Sequence, residues 1–515
     1  MRPPGVVRAH RQDLLISAAV FVCALGVRWP HLMSLPAFSD ESLEVRWGMD
    51  IALGRRWPLT GYDAYYGPLF SYLIAAGFKC FGFHLALPRT MIAVCGALTV
   101  TATYWCGRLL HGRWTGVLAS VMAASSPALA LYSSHYAWSN SLTPLFATLA
   151  FTALSFAIER RSRALLAVGG LLAGLTIQTH PLTMVAFAGT AMWLIYSARR
   201  SDWLGTAELT ALAAWSAVGY APVIAANIVR PLISLRLATQ RTYAFAPTVS
   251  PGEYLSRLLD LVRTFVDMLA GGLAFERIPA SPVAFVLAGA VLLWIVAADW
   301  VKGKRLIASW LLATVLLLPF FVKLFIPRYL TFLLPLAFVG AAAAIAGSGR
   351  RITEADLTWA NPRRRITVTA LAGVLLTVSA YPFVVMRRYT TAALANGLSN
   401  AGYFALRDAL AQRHACGPQL FVEEAGRPLI GPSWVGLYAV DHVLSLSGCK
   451  HQLMTAEKTL LALQGQEEAW VVLSNDTASR WPGQWTLAVE FPFGAPAGFE
   501  RVPITLYRIR RGELP

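Results

Sequence analysis

Residues 68–82 read Pro68-Leu69-Phe70-Ser71-Tyr72-Leu73-Ile74-Ala75-Ala76-Gly77-Phe78-Lys79-Cys80-Phe81-Gly82. The run is apolar, yet it is shorter than the ~20 residues a helix needs to cross a bilayer, and it carries Lys79 near one end. Its placement sets the side on which every later loop falls. Laid flat in the outer interface, it puts several basic clusters on the cytoplasmic side. These are Arg108 with Arg113, then Arg160, Arg161 and Arg163, Arg199 and Arg200, Lys302, Lys304 and Arg305, and finally Arg350, Arg351, Arg363, Arg364 and Arg365. Threaded across, the run would turn all of them outward, against the bias that keeps Lys and Arg in short cytoplasmic loops. The loop from Tyr132 to Ser139 holds no Lys or Arg, as an outer loop should.

With that choice, apolar segments read as spans at 14–27, 88–110, 113–131, 140–158, 164–179, 181–197, 207–229, 281–300, 306–322, 326–347 and 366–386, about eleven in all. Arg2, Arg8 and Arg11 precede the first, which has no convincing small-residue cleavage site after it, so it reads as a retained span with a cytoplasmic N-terminus. The composition agrees: 56% of the 515 residues are hydrophobic and only 14% charged, against about 25% charged in soluble domains. The net charge of +17 does not imply nucleic acid, because the basic residues come in short clusters between apolar runs.

The expected fold is therefore mostly α, a polytopic bundle over residues 1–387 with outer loops at 29–87 and 230–280, followed by an extracytoplasmic α/β domain over 388–515. In the second outer loop, Leu255, Leu258, Leu259, Val262, Phe265 and Val266 recur at helical spacing among charges. That pattern predicts an amphipathic helix over Glu253–Met268. In the tail, helices are expected at 398–414 and 455–464, strands at 419–423, 470–474, 485–491 and 504–509, and a turn at Gly494–Gly498. Cys23, Cys80, Cys95 and Cys106 lie in apolar context and read as small core residues, whereas Cys416 and Cys449 in the polar tail can pair if it faces an oxidising compartment.

The chemistry-bearing stretch is Phe38-Ser39-Asp40-Glu41-Ser42-Leu43-Glu44, just beyond the first span. An acidic pair in a loop is usually a solvated surface. Held at the rim of a low-dielectric slab, however, an ionised carboxylate must be offset by solvent, a cation or a reaction partner. Other polar groups gather on the same face: Arg89 opens the second span, His135 and Asn140 edge the second outer loop, His180 precedes Pro181 in a tight outer turn, and Lys323, Arg328 and Tyr329 stand where two late spans meet. Tyr62, Tyr65, Tyr66 and Tyr72 are substrate-groove candidates, although aromatics belong at membrane interfaces in any case. No His, Cys, Asp or Glu set shows metal-ligand spacing, so a divalent cofactor has no support from the sequence.

The order of these pieces resembles a known family. Asp40-Glu41 in the first outer loop is followed by Tyr65-Tyr66-Gly67-Pro68-Leu69-Phe70-Ser71-Tyr72, Leu87-Pro88-Arg89, Ser134-His135-Tyr136-Ala137-Trp138-Ser139-Asn140 and Pro327-Arg328-Tyr329-Leu330-Thr331-Phe332. This series is similar to the polyprenyl-phosphate-dependent glycosyltransferases of the C superfamily, in the branch of protein O-mannosyltransferases and lipid A aminoarabinose transferases. The resemblance covers about residues 10–350.

It implies a sugar donor on a polyprenyl phosphate, presented from the membrane lipid, and an acceptor glycan, lipid or protein. Asp40 would be the general base in an inverting displacement, Glu41 would orient the acceptor or the loop, and Arg328, Tyr329, Lys323 and Arg89 would hold the donor phosphate. Two departures stand out. The family often has Asp where this chain has Asn140, and this chain reads Tyr66-Gly67-Pro68 where aminoarabinose transferases tend to carry Glu-Lys-Pro. The missing lysine shifts phosphate binding toward Arg328 and the loop arginines Arg241, Arg257 and Arg277.

Two other classes compete with this reading. A surface-polysaccharide polymerase or ligase would centre on outer-loop arginines rather than Asp40. A lipid or polysaccharide transporter or flippase would show internal repeats and mid-membrane charges, whereas the sequence shows no repeat and almost no ionisable residue deep in a span.

Overall fold

The computed structural model describes residues 4–34, 39–62, 64–198, 203–240, 249–274, 278–301, 306–323, 325–348, 384–385, 387–389, 391, 401–423, 440–464, 466, 468–479, 481, 485–497 and 500–511. Nearly all of the expected span 366–386, together with Arg241 and Arg277, falls outside them.

The N-terminal part is a helical bundle. Its elements are α1 (Pro4–Arg28), α2 (Ser39–Ala52), α3 (Leu69–Phe81), α4 (Leu87–His111), α5 (Arg113–Ala124), α6 (Pro127–Tyr132), α7 (Thr143–Arg160), α8 (Arg163–Thr179), α9 (Thr183–Ala198), α10 (Thr206–Gly219), α11 (Ala221–Val229), α12 (Ile233–Gln240), α13 (Pro251–Leu269), α14 (Pro282–Val301), α15 (Leu306–Phe321) and α16 (Leu334–Ser348). Among the described residues, Leu87–His111 and Ser139–Arg160 are each long and apolar enough to cross a membrane, and α10 with α11 makes a third span if the bent pair is taken as one. Six shorter apolar helices of 10–17 residues complete the bundle, α3 among them.

α3 is 13 residues long, in keeping with its reading as too short to cross. Its Phe70, Ile74 and Phe78 bury against Val45 and Met49 of α2 and Ile92 of α4. The helix thus clamps α2 onto the bundle.

Three expected spans are broken, each by proline. Segment 113–131 divides at Ser125–Ser126, where Ser126 caps α6 by accepting from the Leu129 amide and Pro127 takes the first position. Segment 207–229 bends by 73° at Tyr220, just before Pro222. Segment 326–347 opens with two 3-10 turns, Pro327–Tyr329 and Thr331–Leu333, before α16 begins.

α13 forms where expected. Arg257, Leu261, Phe265, Val266 and Met268 are covered, while Leu255 and Leu259 stay exposed. The Tyr254 hydroxyl donates to Leu316 O at 2.9 Å and Arg257 to Pro319 O at 3.3 Å, so polar contacts to α15 decide the rotation. The cysteine expectation also needs correction. Cys106 is buried and Cys95 half-buried, but Cys23 and Cys80 are exposed on the outside of their helices.

The C-terminal domain carries a five-stranded sheet in the order β2-β1-β3-β5-β4, with β1 (Leu420–Glu423) parallel to β2 (Gln452–Met454) and β3 (Glu468–Ser474). β4 (Trp485–Ala497) and β5 (Glu500–Arg511) pair antiparallel. The three-residue strand β2 escapes sequence reading because it is short. Gly494–Ala497, expected to turn, instead continues β4, since pairing with Glu500–Pro503 satisfies its backbone. α17 (Ala401–Gln412) and a helix at 440–446, here α18, pack on the sheet, and Cys416 and Cys449 are disulfide-bonded.

Close helix contacts rest on glycine. A β-carbon built on Gly174 of α8 would sit 2.1 Å from Ser216 O and 2.8 Å from the backbone of Gly219 on α10. Gly174→Val is expected to force α8 from α10 and destabilise the fold by about 1–3 kcal/mol or more. Thermal unfolding of the detergent-purified variant, with a clearly lowered midpoint, checks this.

Candidate active site

Ser39 opens α2, so Asp40 and Glu41 lie in its first turn, where the helix dipole favours negative charge. Glu44 follows one turn after Asp40, on the same side. Each of the three carboxylates meets a different part of the bundle.

Asp40 is partly open. Its side chain is 33% exposed and faces the Nη2 of Arg328 at 3.8 Å. That separation is a salt bridge longer than a direct hydrogen bond. The Arg328 guanidinium lies over the rings of Trp138 (4.6 Å) and Tyr329 (5.4 Å), cation–π contacts that set its plane. Its main-chain carbonyl accepts from Asn140 Nδ2 (3.1 Å) and Thr331 Oγ1 (3.0 Å). Thr143 in turn donates to Asn140 Oδ1 and bonds to Thr179. Asn140 therefore holds the arginine's turn in place.

An aromatic wall continues from there. Tyr329 stacks on His180 at 4.7 Å, His180 meets Tyr65 edge-on at 6.5 Å, and Tyr65 meets Tyr66 at 5.2 Å. The Tyr66 hydroxyl donates to Glu44 Oε1 at 3.0 Å, which closes the ring back onto α2. His180 accepts from the Leu182 amide at Nδ1 (3.3 Å), which assigns its proton to Nε2. Burial and the nearby Arg328 charge push its pKa down to about 3, keeping the ring neutral.

Glu41 and Arg89 are committed to each other. Arg89 Nε and Nη2 donate to the two Glu41 oxygens at 2.7 and 2.8 Å, its Nη1 donates to Leu32 O, and both side chains are at most 3% exposed. The expected contacts of Arg89 with phosphate and of Glu41 with acceptor are replaced by this bidentate pair, which pins α2 to α4. His135 is occupied likewise, with Nδ1 on Ala130 O (2.8 Å) and Nε2 on Pro30 O (3.0 Å). Lys323 is exposed and lines a separate cavity of about 480 Å³ with Asp260, Arg263 and Phe285. Arg257 is buried against α15. Among the described residues, no group of three or more His, Cys, Asp or Glu is arranged to hold a metal.

From sequence Glu44 reads equally as a partner of Asp40 or as a plain helix-surface residue, and the structure buries it. It is 1% exposed and accepts from the Ser139 amide (2.7 Å), the Ser139 hydroxyl (3.0 Å) and Tyr66. Its helical offset from Asp40 was the only local signal, because its donors come from positions 22 and 95 residues away.

Residues 66–225 match the family described as dolichyl-phosphate-mannose-protein mannosyltransferase. The whole chain superposes on ArnT from Cupriavidus metallidurans bound to undecaprenyl phosphate, with a TM-score of 0.60, 13% identity and 98% of each chain covered. The apo form of that protein gives 0.62 at 13% identity, covering 96% of this chain and 98% of that one. The chain is thus similar to membrane glycosyltransferases of the C superfamily, in sequence over residues 66–225 and in fold over nearly its whole length. An oligosaccharyltransferase from Archaeoglobus fulgidus is also similar in fold, at a TM-score of 0.50 and 12% identity, over 90% of this chain and 69% of that one. No curated protein sequence matches the chain. The family match takes in Tyr66, Arg89, Ser139, Asn140 and His180, whereas Asp40 and Arg328 lie outside it on either side. The bundle is polytopic, as its shared fold with ArnT requires.

Burial, the largest influence on Glu44, pushes its pKa from 4.5 up to about 8, against the donors from Ser139 and Tyr66 that pull it down. A carboxyl raised in the folded state stabilises fully below the unfolded value and loses that contribution as pH rises through the folded one. Wild type should therefore lose stability relative to Glu44→Gln as pH rises from about 4.5 toward 8. Thermal unfolding of both proteins across that window measures the difference. A wild type that gains stability over it would instead assign a carboxylate ionised throughout.

Proposed function

We propose that this glycosyltransferase moves a sugar from a polyprenyl-phosphate donor to an acceptor hydroxyl on the extracytoplasmic face, inverting the anomeric centre, with Asp40 as general base. The observation that carries the reading is the half-open Asp40 carboxylate facing Arg328 at 3.8 Å inside an aromatic wall. The donor class draws on the family match, described as using dolichyl-phosphate mannose, and on the similar fold of ArnT, described with undecaprenyl phosphate bound.

The arriving donor phosphate competes with Asp40 for the Arg328 guanidinium, which is suited to grip two phosphate oxygens at once. Asp40, released from its ion pair, accepts the proton of the acceptor hydroxyl as that oxygen bonds to the anomeric carbon. The bond from the anomeric carbon to the phosphate oxygen breaks with its electron pair on the lipid phosphate, whose growing charge Arg328 offsets. Tyr329 lends a hydroxyl to the same anion, and Tyr65, Tyr66 and neutral His180 wall the sugar. Lys323, standing apart in its own cavity, would draw the lipid phosphate toward the membrane rim. Arg89 and Glu41 hold α2 in place. A single displacement needs no covalent enzyme intermediate, consistent with one open carboxylate.

The positive-inside pattern of the loops supports an extracytoplasmic Asp40 and C-terminal domain in the cell membrane, with residues 1–387 as the membrane unit and 388–515 as the outer domain. The Cys416–Cys449 disulfide supports it too, since such bonds persist in oxidising compartments.

Asp40→Asn is expected to lower transfer by about 10²–10⁴-fold while the purified protein still binds undecaprenyl phosphate. Incubation with a panel of polyprenyl-phosphate sugars identifies the donor consumed, and near wild-type transfer by the variant would end the general-base assignment. Arg328→Gln should fail differently, weakening binding of undecaprenyl phosphate by roughly tenfold or more, as loss of a charge-assisted pair implies.

A further inference from the structure

The polar groups between α2 and the C-terminal domain have no part in the mechanism above. On the outer-domain side, the buried Asp441 of α18 accepts at Oδ1 from Arg46 Nη1 (2.9 Å), from Ser445 Oγ (3.3 Å) and at 2.8 Å from His451 Nε2. Arg46 sits on α2 six residues after Asp40, about 9 Å along the helix axis. Its Nη1 also donates to Ser445 Oγ at 2.5 Å. His451 is itself fixed, with Nδ1 on Cys449 O at 2.9 Å, and Cys449 is bonded to Cys416.

An apolar contact runs beside this polar one. Leu446 of α18 joins Val45 and Met49 of α2 in a single buried cluster with Phe70 and Ile74. His442, one residue beyond Asp441, is buried within electrostatic reach of Glu41 and Arg89. α18 thus lies on the face of α2 that carries Glu41, Val45, Arg46 and Met49, leaving Asp40 and Glu44 for the reaction site.

We infer that Asp441 is a positioning residue of the transferase. Through Arg46 it locks the catalytic helix α2 in register, so that the C-terminal domain forms one wall of the active site's support instead of a detachable cover. The consequence for catalysis rests on the reading of Asp40 as base; the mechanical lock does not. Its physical basis is that α2, only 14 residues long, has too little length to hold its position by helix propensity alone. Its bearing comes from Arg89, from α3 and from α18. A carboxylate base displaced by about 1 Å loses on the order of 10²-fold in rate, so a lock on its helix is a lock on kcat.

Hydrogen–deuterium exchange over residues 39–52 of the full, detergent-purified chain reads the lock directly. Arg46→Gln and Asp441→Asn should each raise exchange there by about tenfold or more, and the double variant should add little to either. Arg46→Lys, which keeps the charge, should restore most of the protection. With the polyprenyl-phosphate sugar that the wild type consumes, kcat should fall by about tenfold in the two loss variants while KM for the donor stays within about twofold. Exchange at the wild-type level in both variants overturns the inference, as does a change confined to KM. Should Asp441→Asn not fold, the Arg46→Gln and Arg46→Lys pair decides alone, because that side chain is 31% exposed and lies at the rim. Asp40→Asn is the control. It should leave exchange over 39–52 unchanged, so active transfer by Asp40→Asn removes the base assignment without touching the lock, and unprotected α2 in the Arg46 variants tests the lock whatever Asp40 does.

Discussion

Three carboxylates within five residues on one short helix, at the edge of an apolar bundle, are a concentration of like charge that folding must resolve. The structure resolves each differently. Glu41 takes a buried bidentate arginine, Glu44 takes three neutral donors, and Asp40 keeps a longer ion pair with Arg328. A buried pair costs desolvation that good geometry must offset, and removing either partner leaves a charge with nothing to meet it. Glu41 and Arg89 therefore anchor the helix, whereas the Asp40 side chain stays a third exposed and faces Arg328.

The rest of the site follows from that division. The supports of α2 come from α3, α4, the Tyr132–Ser139 loop and the C-terminal domain, so the helix is held from several sides while its first turn faces Arg328. Arg328 is oriented by aromatic faces and by the backbone held through Asn140, and these leave its charged edge directed at Asp40. A guanidinium flanked by rings sheds water more readily than an ammonium, which would suit it to the lipid phosphate proposed as donor. The aromatic series from Tyr329 through His180 to Tyr66 then joins the cation to the second carboxylate, Glu44. One connected wall thus carries groups from four stretches of chain far apart in sequence.

Much of this was legible in residues alone. The apolar runs placed many of the bundle helices, among them α4, α7, α8, α9, α14 and α15, within a few residues, because a long apolar helix has an unmistakable composition. Asp40, Arg328, Tyr329, Asn140 and His180 were each marked by polarity at the outer ends of spans, and they do converge. Breaks were harder to see. Ser125–Ser126, Tyr220 and the 3-10 turns at Pro327 interrupt runs of unbroken hydrophobicity, where proline and capping act against a signal that hydropathy alone cannot register.

By itself, then, the sequence determined the class of solvent the chain lives in and the order of its apolar elements, since these depend on local composition. Only the tertiary structure decided which charge answers which. It gave Arg89 to Glu41 instead of to the donor side, buried Glu44 beneath Tyr66 and Ser139, and left Asp40 opposite Arg328. It also set α18 against α2. The reason is that pairing energies are settled between groups tens to hundreds of residues apart, by burial and distance, and neither quantity is written in the neighbours of a residue along the chain.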